Sequence, residues 1–258
     1  MSRGEGGGPD RLRRADAAAL LAVLAGLTLW LSLTDGFYRY LRPAIRPWLA
    51  ASGVFLAGLA VATAVVAWRE ARRGGGAAPA GSSRASLVGW FLVLPLVVAV
   101  STDPGALGAF AVRQQSGMAY VAAGDFDLET HLRTHSTAGQ APALQVHQFL
   151  SAAAGGEDER RLLADSPVRL TGFVVQEPDA PPGGFTLARL MIGCCAGDAN
   201  GLVVAVRGYD GEVLADDTWV EVTGRYDERL SDDAEAPALA LSSLRRVARP
   251  REPYEYPS

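Results

Sequence analysis

The sequence predicts a membrane protein of mixed class: three N-terminal transmembrane helices followed by a small five-stranded OB-like β-barrel. Long uncharged apolar runs fill the first hundred residues of the 258-residue chain, and a membrane-spanning helix requires about 20 such residues. From residue 167 onward, apolar and polar residues alternate, which is typical of half-buried strands. Turn-rich stretches separate these strands, which favours a Greek-key barrel, with a sandwich as the alternative.

The predicted transmembrane region covers residues 17–102. Three apolar runs form it. They are residues 17–33, 49–68 and 85–102. Pro95 interrupts the third run, but membrane helices tolerate proline. Residues 1–16 are polar and glycine-rich and are expected to be a disordered cytoplasmic N-terminus. Arginines before the first run also resemble the start of a signal peptide, yet no small-residue cleavage site follows, which favours a retained span.

The placement of arginine predicts the orientation. Four arginines precede the first run and four lie between the second and third, whereas the first connection holds three. This bias favours a cytoplasmic N-terminus and an extracytoplasmic C-terminal domain in a multi-pass protein of the cell membrane. If the third run does not span, the C-terminal half is cytoplasmic instead.

Residues 103–166 are predicted to be a connector, and residues 167–258 the C-terminal β domain. The connector contains two short helical segments, residues 125–135 and 144–154, followed by a solvated bend at 155–161. The alternating pattern predicts five strands. They cover residues 168–174, 185–194, 202–207, 218–226 and 238–247.

Cys194 and Cys195 are the only two cysteines, and Asp198 follows them in a turn-rich stretch. The thiols could ligate a thiophilic metal such as zinc with Asp198, form a strained vicinal disulfide, or act as a redox pair. Alternatively, one cysteine is a small core residue and the other is incidental. Adjacent strand residues point to opposite faces, so both thiols reach one metal only if the strand ends there. The segment AGDANG supplies such a break.

Three further residues are candidates for the same site. His131 and His135 are four residues apart, so a helix would place both imidazoles on one face, as a metal site needs. They could join the cysteines only if the two regions pack together. Arg189 lies in an apolar strand and could pair with Asp198, which would stabilise the bend around the thiols.

Several function classes find no support in the sequence. It contains no HExxH, phosphate loop, dinucleotide fingerprint or Ser-His-Asp spacing. From residue 166 onward there are about 15 acidic residues against about 9 arginines, which is a poor match for nucleic acid. These observations favour a protein that is not an enzyme and binds no nucleic acid.

Several motifs resemble a known family. They are LPLVVAV and PGALGA near the third apolar run, F-x-L-x-R-x-x-I-x-C-C-x-x-D-A at 185–199, D-T-W-V-x-V-x-G at 217–224 and P-x-x-P-Y-x-Y at 250–256. In these the chain resembles the YcgQ-like family of predicted bacterial permease subunits. The resemblance implies N-terminal spans, a C-terminal domain of unknown function and a multi-span permease as partner.

The sequence therefore predicts an accessory permease subunit held in the lipid bilayer, with a β domain that binds a metal or another solute. The binding residues would be Arg189, Cys194, Cys195 and Asp198, with His131 and His135 as additional metal ligands. A membrane-anchored thiol-redox protein and a purely structural permease scaffold are the alternatives. The metal itself is not specified by the sequence.

Overall fold

A computed structural model describes residues 8–72, 105–114, 126–135, 140–176, 183–232 and 236–256, together with Phe91 and Val98. The chain divides into two compact units. Unit 1 comprises Met1–Phe37 and Pro43–Gly105, and unit 2 comprises Tyr38–Arg42 and Ala106–Ser258. The connection between the first two helices is thus divided, and its residues 38–42 belong to unit 2 although they lie far from it in sequence.

In the part of unit 1 that the structure describes there are two long helices, α1 (Gly8–Leu33) and α2 (Arg46–Arg72). Short 3-10 turns lie between them at Asp35–Arg39 and Pro43–Ile45. Within the described residues, Arg14–Leu33 and Pro43–Glu70 are long and apolar enough to cross a membrane. The first two predicted apolar helices are therefore present, whereas the third predicted span, 85–102, lies outside the described residues apart from two isolated positions.

The two helices pack closely against each other. At Gly53 of α2, an added Cβ would lie 2.8 Å from the Leu29 side chain of α1, so a larger residue does not fit there. Arg14 and Glu70 form an ion pair between the start of α1 and the end of α2, and Arg46 Nε donates to Ser32 O at 2.7 Å. These contacts join both ends of an antiparallel helical hairpin.

Unit 2 is built on a closed five-stranded barrel, as predicted. Its strands are β1 (Val168–Val175), β2 (Gly184–Met191), β3 (Asn200–Arg207), β4 (Trp219–Tyr226) and β5 (Ala238–Arg246). Going round the barrel, the strands follow the order β1-β4-β5-β3-β2, and β2 pairs again with β1. The β3–β5 pair is parallel and the other four pairs are antiparallel.

The second strand ends at Met191, three residues before the predicted end, so both cysteines lie beyond it. A sixth strand, β6 (Tyr254–Glu255), pairs in parallel with the end of β2. It lies on the same edge of β2 as β1, just beyond the residues that pair with β1. The C-terminal tail therefore covers the part of β2 that leads into the cysteines.

Five short helices accompany the barrel in the parts of unit 2 that the structure describes. They are α3 (Ala109–Gln114), α4 (Leu128–His135), α5 (Val146–Ala153), α6 (Glu157–Asp165) and α7 (Glu228–Asp232). The prediction of a solvated bend at 155–161 is wrong, because Glu157 begins a helix there. Gly156 precedes that helix in an extended conformation and the first turn is acidic, which suits the positive end of the helix dipole.

Among the described residues of unit 2, two apolar clusters form the core. The larger joins the barrel to α5 and α6 through residues such as Phe149, Leu163 and Leu187, all fully buried. The smaller lies on the other side of β2 and includes Phe173 and Tyr254. Residues predicted to be a connector therefore contribute to the same core as the strands.

Candidate metal centre

The cysteine loop, residues 192–199, connects β2 to β3 and contains a short 3-10 turn at Ala196–Asp198. The Asp198 carboxylate accepts hydrogen bonds from three successive backbone N–H groups: Gly193 at 3.1 Å, Cys194 at 2.8 Å and Cys195 at 3.4 Å. Backbone groups that bond to a side chain cannot continue a strand ladder. This is why β2 ends before the cysteines. It is also why the two cysteine side chains do not point to opposite faces, as they would in a regular strand.

The three side chains converge as a result. The Sγ atoms of Cys194 and Cys195 and one carboxylate oxygen of Asp198 all lie within 4.8 Å of one another. Donors around one tetrahedral zinc ion lie about 3.8 Å apart, given Zn–S bonds of about 2.3 Å, so small side-chain movements suffice for a shared ion. Cys194 is exposed and Cys195 is half-buried, and both are free thiols. One side of the group therefore faces solvent.

The electrostatics of the group favour a proton, or a cation in its place, on the Cys194 sulfur. The hydrogen bond to Asp198 raises the pKa of Cys194 to about 11, with a second contribution from Cys195. For Asp198, desolvation opposes ionisation, but hydrogen bonds from Cys194 and the loop N–H groups hold its pKa below the ordinary value. At neutral pH the group is therefore a carboxylate next to a protonated thiol.

A segment from the other end of the sequence holds the cysteine loop in place. Arg42 N donates to Cys194 O at 3.1 Å, and Ala196 N donates to Tyr40 O at 2.7 Å. Between these bonds, Leu41 pairs with Cys195 in an antiparallel bridge. Both backbone edges of the thiol pair are thus used, one by Asp198 and the other by the segment 38–42.

The C-terminal part of the chain matches a known domain family. Residues 158–257 match the DUF1980 C-terminal domain. The match covers the whole barrel, the cysteine loop and β6, and it fits the expected C-terminal domain of unknown function. No curated protein matches the chain.

Arg189 lies in the matched region, residues 158–257, and its ion-pair partner is Glu255 rather than Asp198. Its guanidinium lies 4.8 Å from the centre of the Trp219 ring, Nη2 donates to Glu252 O at 3.1 Å, and Nε lies 3.8 Å from Glu255 Oε1. Burial lowers the pKa of Arg189, and the Glu255 charge opposes this shift. The expected pairing with Asp198 is wrong, because Asp198 is engaged by its own loop and Glu255 supplies the carboxylate for Arg189.

The two candidate histidines lie on α4, outside the metal group. The rings of His131 and His135 stack with their centres 4.2 Å apart, as their spacing predicts. His131 Nε2 lies 3.0 Å from Ala143 O, and His135 Nδ1 lies 3.1 Å from His131 O. Within the described residues, the group of potential ligands consists of Cys194, Cys195 and Asp198, so the structure does not bring either histidine to the thiols.

Sequence reasoning missed the segment 38–42 as a part of the site. No local pattern in the sequence indicates that this segment has a partner about 150 residues later. It also missed Glu255, which accepts hydrogen bonds from Val146 N at 2.7 Å and His147 N at 2.9 Å. The closing motif P-x-x-P-Y-x-Y marked this tail, but not its contact with the first turn of α5.

Proposed function

We propose that the protein is a membrane-anchored accessory subunit of a permease, whose DUF1980 C-terminal domain binds a thiophilic metal ion of the zinc type. The ligands are Cys194, Cys195 and Asp198. The observation that carries this proposal is the convergence of the three donor atoms within 4.8 Å. Two sulfurs with one carboxylate oxygen form a donor set that suits zinc better than magnesium or calcium, which prefer oxygen alone.

The charge of the group also fits a cation. The raised pKa of Cys194 shows that its thiolate is disfavoured beside Asp198 when no positive charge is present. A bound cation supplies that charge and releases the thiol proton. Three ligands with an exposed side leave one tetrahedral position open, which suits reversible binding and transfer of an ion rather than a closed structural site.

The same electrostatics argue against a thiol-redox role. Thiol-disulfide exchange proceeds through the thiolate, and reactive cysteines lie beside groups that lower the thiol pKa. Here the neighbouring carboxylate raises the pKa of Cys194, so the thiolate is scarce at neutral pH. A solute-binding role is therefore favoured over a catalytic one.

The membrane part of the proposal rests on the two apolar helices. Only 17% of the apolar window of α1 and 11% of that of α2 are buried. Large apolar side chains such as Phe55, Val61 and Trp68 remain exposed. Exposed apolar surface of this extent fits a lipid environment, and leaves room for the helices of a multi-span permease beside them.

Metal binding is tested on the full chain, purified in mild detergent with its thiols reduced. We expect it to bind one Zn²⁺ with proton release, and with an affinity that rises with pH because Cys194 must lose its proton. Cys194→Ser and Cys195→Ser should each weaken binding by about tenfold or more. Asp198→Asn removes the carboxylate ligand. Asp210→Asn makes the same change in an exposed loop and is its matched control. Equal affinity in the wild type and the double serine variant would refute the assignment.

The proposed association with a permease is tested by purification of the full chain from its native membranes after crosslinking. We expect one multi-span transport protein at a fixed ratio to the chain. Gly58 of α2 faces open space, with no atom within 4 Å of an added Cβ. Gly58→Leu therefore leaves the α1–α2 contact unchanged and is expected to reduce the yield of the partner if it packs there. Recovery of the chain by itself under all conditions would remove the permease from the proposal.

A further inference from the structure

The segment Tyr38–Arg42, here called the connecting segment, is an integral part of unit 2. Besides its bonds to the cysteine loop, its Arg39 O accepts a hydrogen bond from the Tyr254 hydroxyl at 2.9 Å. The Arg251 guanidinium lies 5.0 Å from the centre of the Tyr38 ring, and Tyr38 is 8% exposed. Three of its five residues take part in these hydrogen bonds, Arg42 as a donor and Arg39 and Tyr40 as acceptors, and the buried Tyr38 ring adds a further contact to the rest of unit 2.

The connecting segment is also tied covalently to both apolar helices. Leu33, the last residue of α1, precedes Tyr38 by five residues, and Arg42 precedes the first residue of α2, Arg46, by four. An extended chain covers at most about 3.5 Å per residue, so these links reach about 18 Å and about 14 Å. If α1 and α2 span a bilayer, the connecting segment must lie at the surface where both emerge.

From these two facts we propose that the cysteine loop lies on the same side of the membrane as the α1–α2 connection, close to the bilayer surface. The inference rests on the membrane anchoring in the proposed function, but not on metal binding. Because α2 carries the chain to the opposite side, the chain must cross the bilayer once more between residues 73 and 104. The third span that the sequence predicts, residues 85–102, would meet this requirement.

This arrangement has a consequence for the thiols. Arg42 N is bonded directly to Cys194 O, so the chain between Arg42 and Arg46 limits how far the thiols can lie from the start of α2. The distance is comparable to half the thickness of a bilayer's hydrocarbon core. A metal held by this loop would therefore lie near the membrane surface, where an ion enters or leaves a transport protein.

The test uses the fact that the chain has only two cysteines and both are in this loop. A membrane-impermeant maleimide, applied to intact cells and then to permeabilised cells, reports the side on which the wild-type thiols lie. A chelator is added first so that bound metal does not protect them. Two single-cysteine variants, made in a Cys194→Ser/Cys195→Ser background, report the other positions. They are Ala44→Cys, in the α1–α2 connection, and Arg72→Cys, at the end of α2, both at exposed positions.

We expect the native thiols and Ala44→Cys to be labelled on the same side, and Arg72→Cys on the opposite side. Labelling of Arg72→Cys together with the native thiols, or of Ala44→Cys on the side opposite to them, would overturn the inference. Extraction of the wild-type protein with alkaline carbonate separates the two proposals. Release from the membrane would refute the anchoring itself, whereas a retained protein with the wrong labelling pattern would refute only the inference about the side on which the cysteine loop lies.

Discussion

Replacing Glu255 by glutamine tests how β6 stabilises unit 2. The Glu255 side chain is 4% exposed and accepts hydrogen bonds from Val146 N and His147 N at the start of α5. It also lies 3.8 Å from the Nε of the buried Arg189. Glu255→Gln keeps one acceptor oxygen, replaces the other with a donor, and removes the negative charge.

The expected loss can be estimated from these contacts. Loss of one of two charge-assisted bonds at a helix N-terminus costs about 1–2 kcal/mol. Leaving a buried arginine without its carboxylate costs up to several kcal/mol, and the lower end applies because 3.8 Å is too long for a hydrogen bond. We therefore expect a loss of about 3 kcal/mol, which for a unit of this size lowers the Tm by about 6–12 °C.

Thermal unfolding of the full chain in detergent, followed by near-ultraviolet circular dichroism, measures this effect. Glu252→Gln is the matched control, since it makes the same change three residues earlier on an exposed side chain. Arg189→Met combined with Glu255→Gln should recover part of the loss, because the double variant no longer contains an unpaired buried charge. Equal Tm values for Glu255→Gln and Glu252→Gln would refute the reasoning.

Two further predictions concern the thiols and the helical hairpin. In a Cys195→Ser background, Asp198→Asn should increase the rate at which iodoacetamide alkylates Cys194 at pH 8 by tenfold or more. The reason is that loss of the carboxylate lowers the pKa of the Cys194 thiol from about 11. An unchanged rate would show that Asp198 does not control the thiol. Gly53→Leu should lower the thermal stability of the α1–α2 pair, because the new leucine side chain meets α1. Gly58→Leu, whose side chain enters open space, should not lower it. Equal effects of the two variants would contradict the observed packing.

The strands could be predicted because their signal is local. Alternation of apolar and polar residues identified all five, with errors of one or two residues at most ends, since each strand places one face in a core that spans the barrel. The end of β2 was misplaced because three backbone N–H groups bond to Asp198 instead of continuing the ladder. The run GGEDERR was misread because its charges suggested a solvated bend, whereas its acids stabilise the start of α6 and Leu163 buries the other face.

The site could be predicted only in part. Cys194, Cys195 and Asp198 are close in sequence, so a turn between them brings their side chains together. The partners of Arg189 and of the cysteine loop depend instead on contacts between distant parts of the chain. Glu255 follows Arg189 by 66 residues and Tyr40 precedes Ala196 by 156, and with several acidic residues available nothing in one sequence selects Glu255 as the partner.

The contact between Glu255 and α5 fixes the order in which this part of the fold can be completed. Tyr254 and Glu255 follow all five barrel strands along the chain, so α5 lacks its carboxylate partner until the residues beyond β5 have been synthesised. A chain truncated before Tyr254 would therefore carry both thiols in an unfinished domain, and cellular proteases would have time to degrade it.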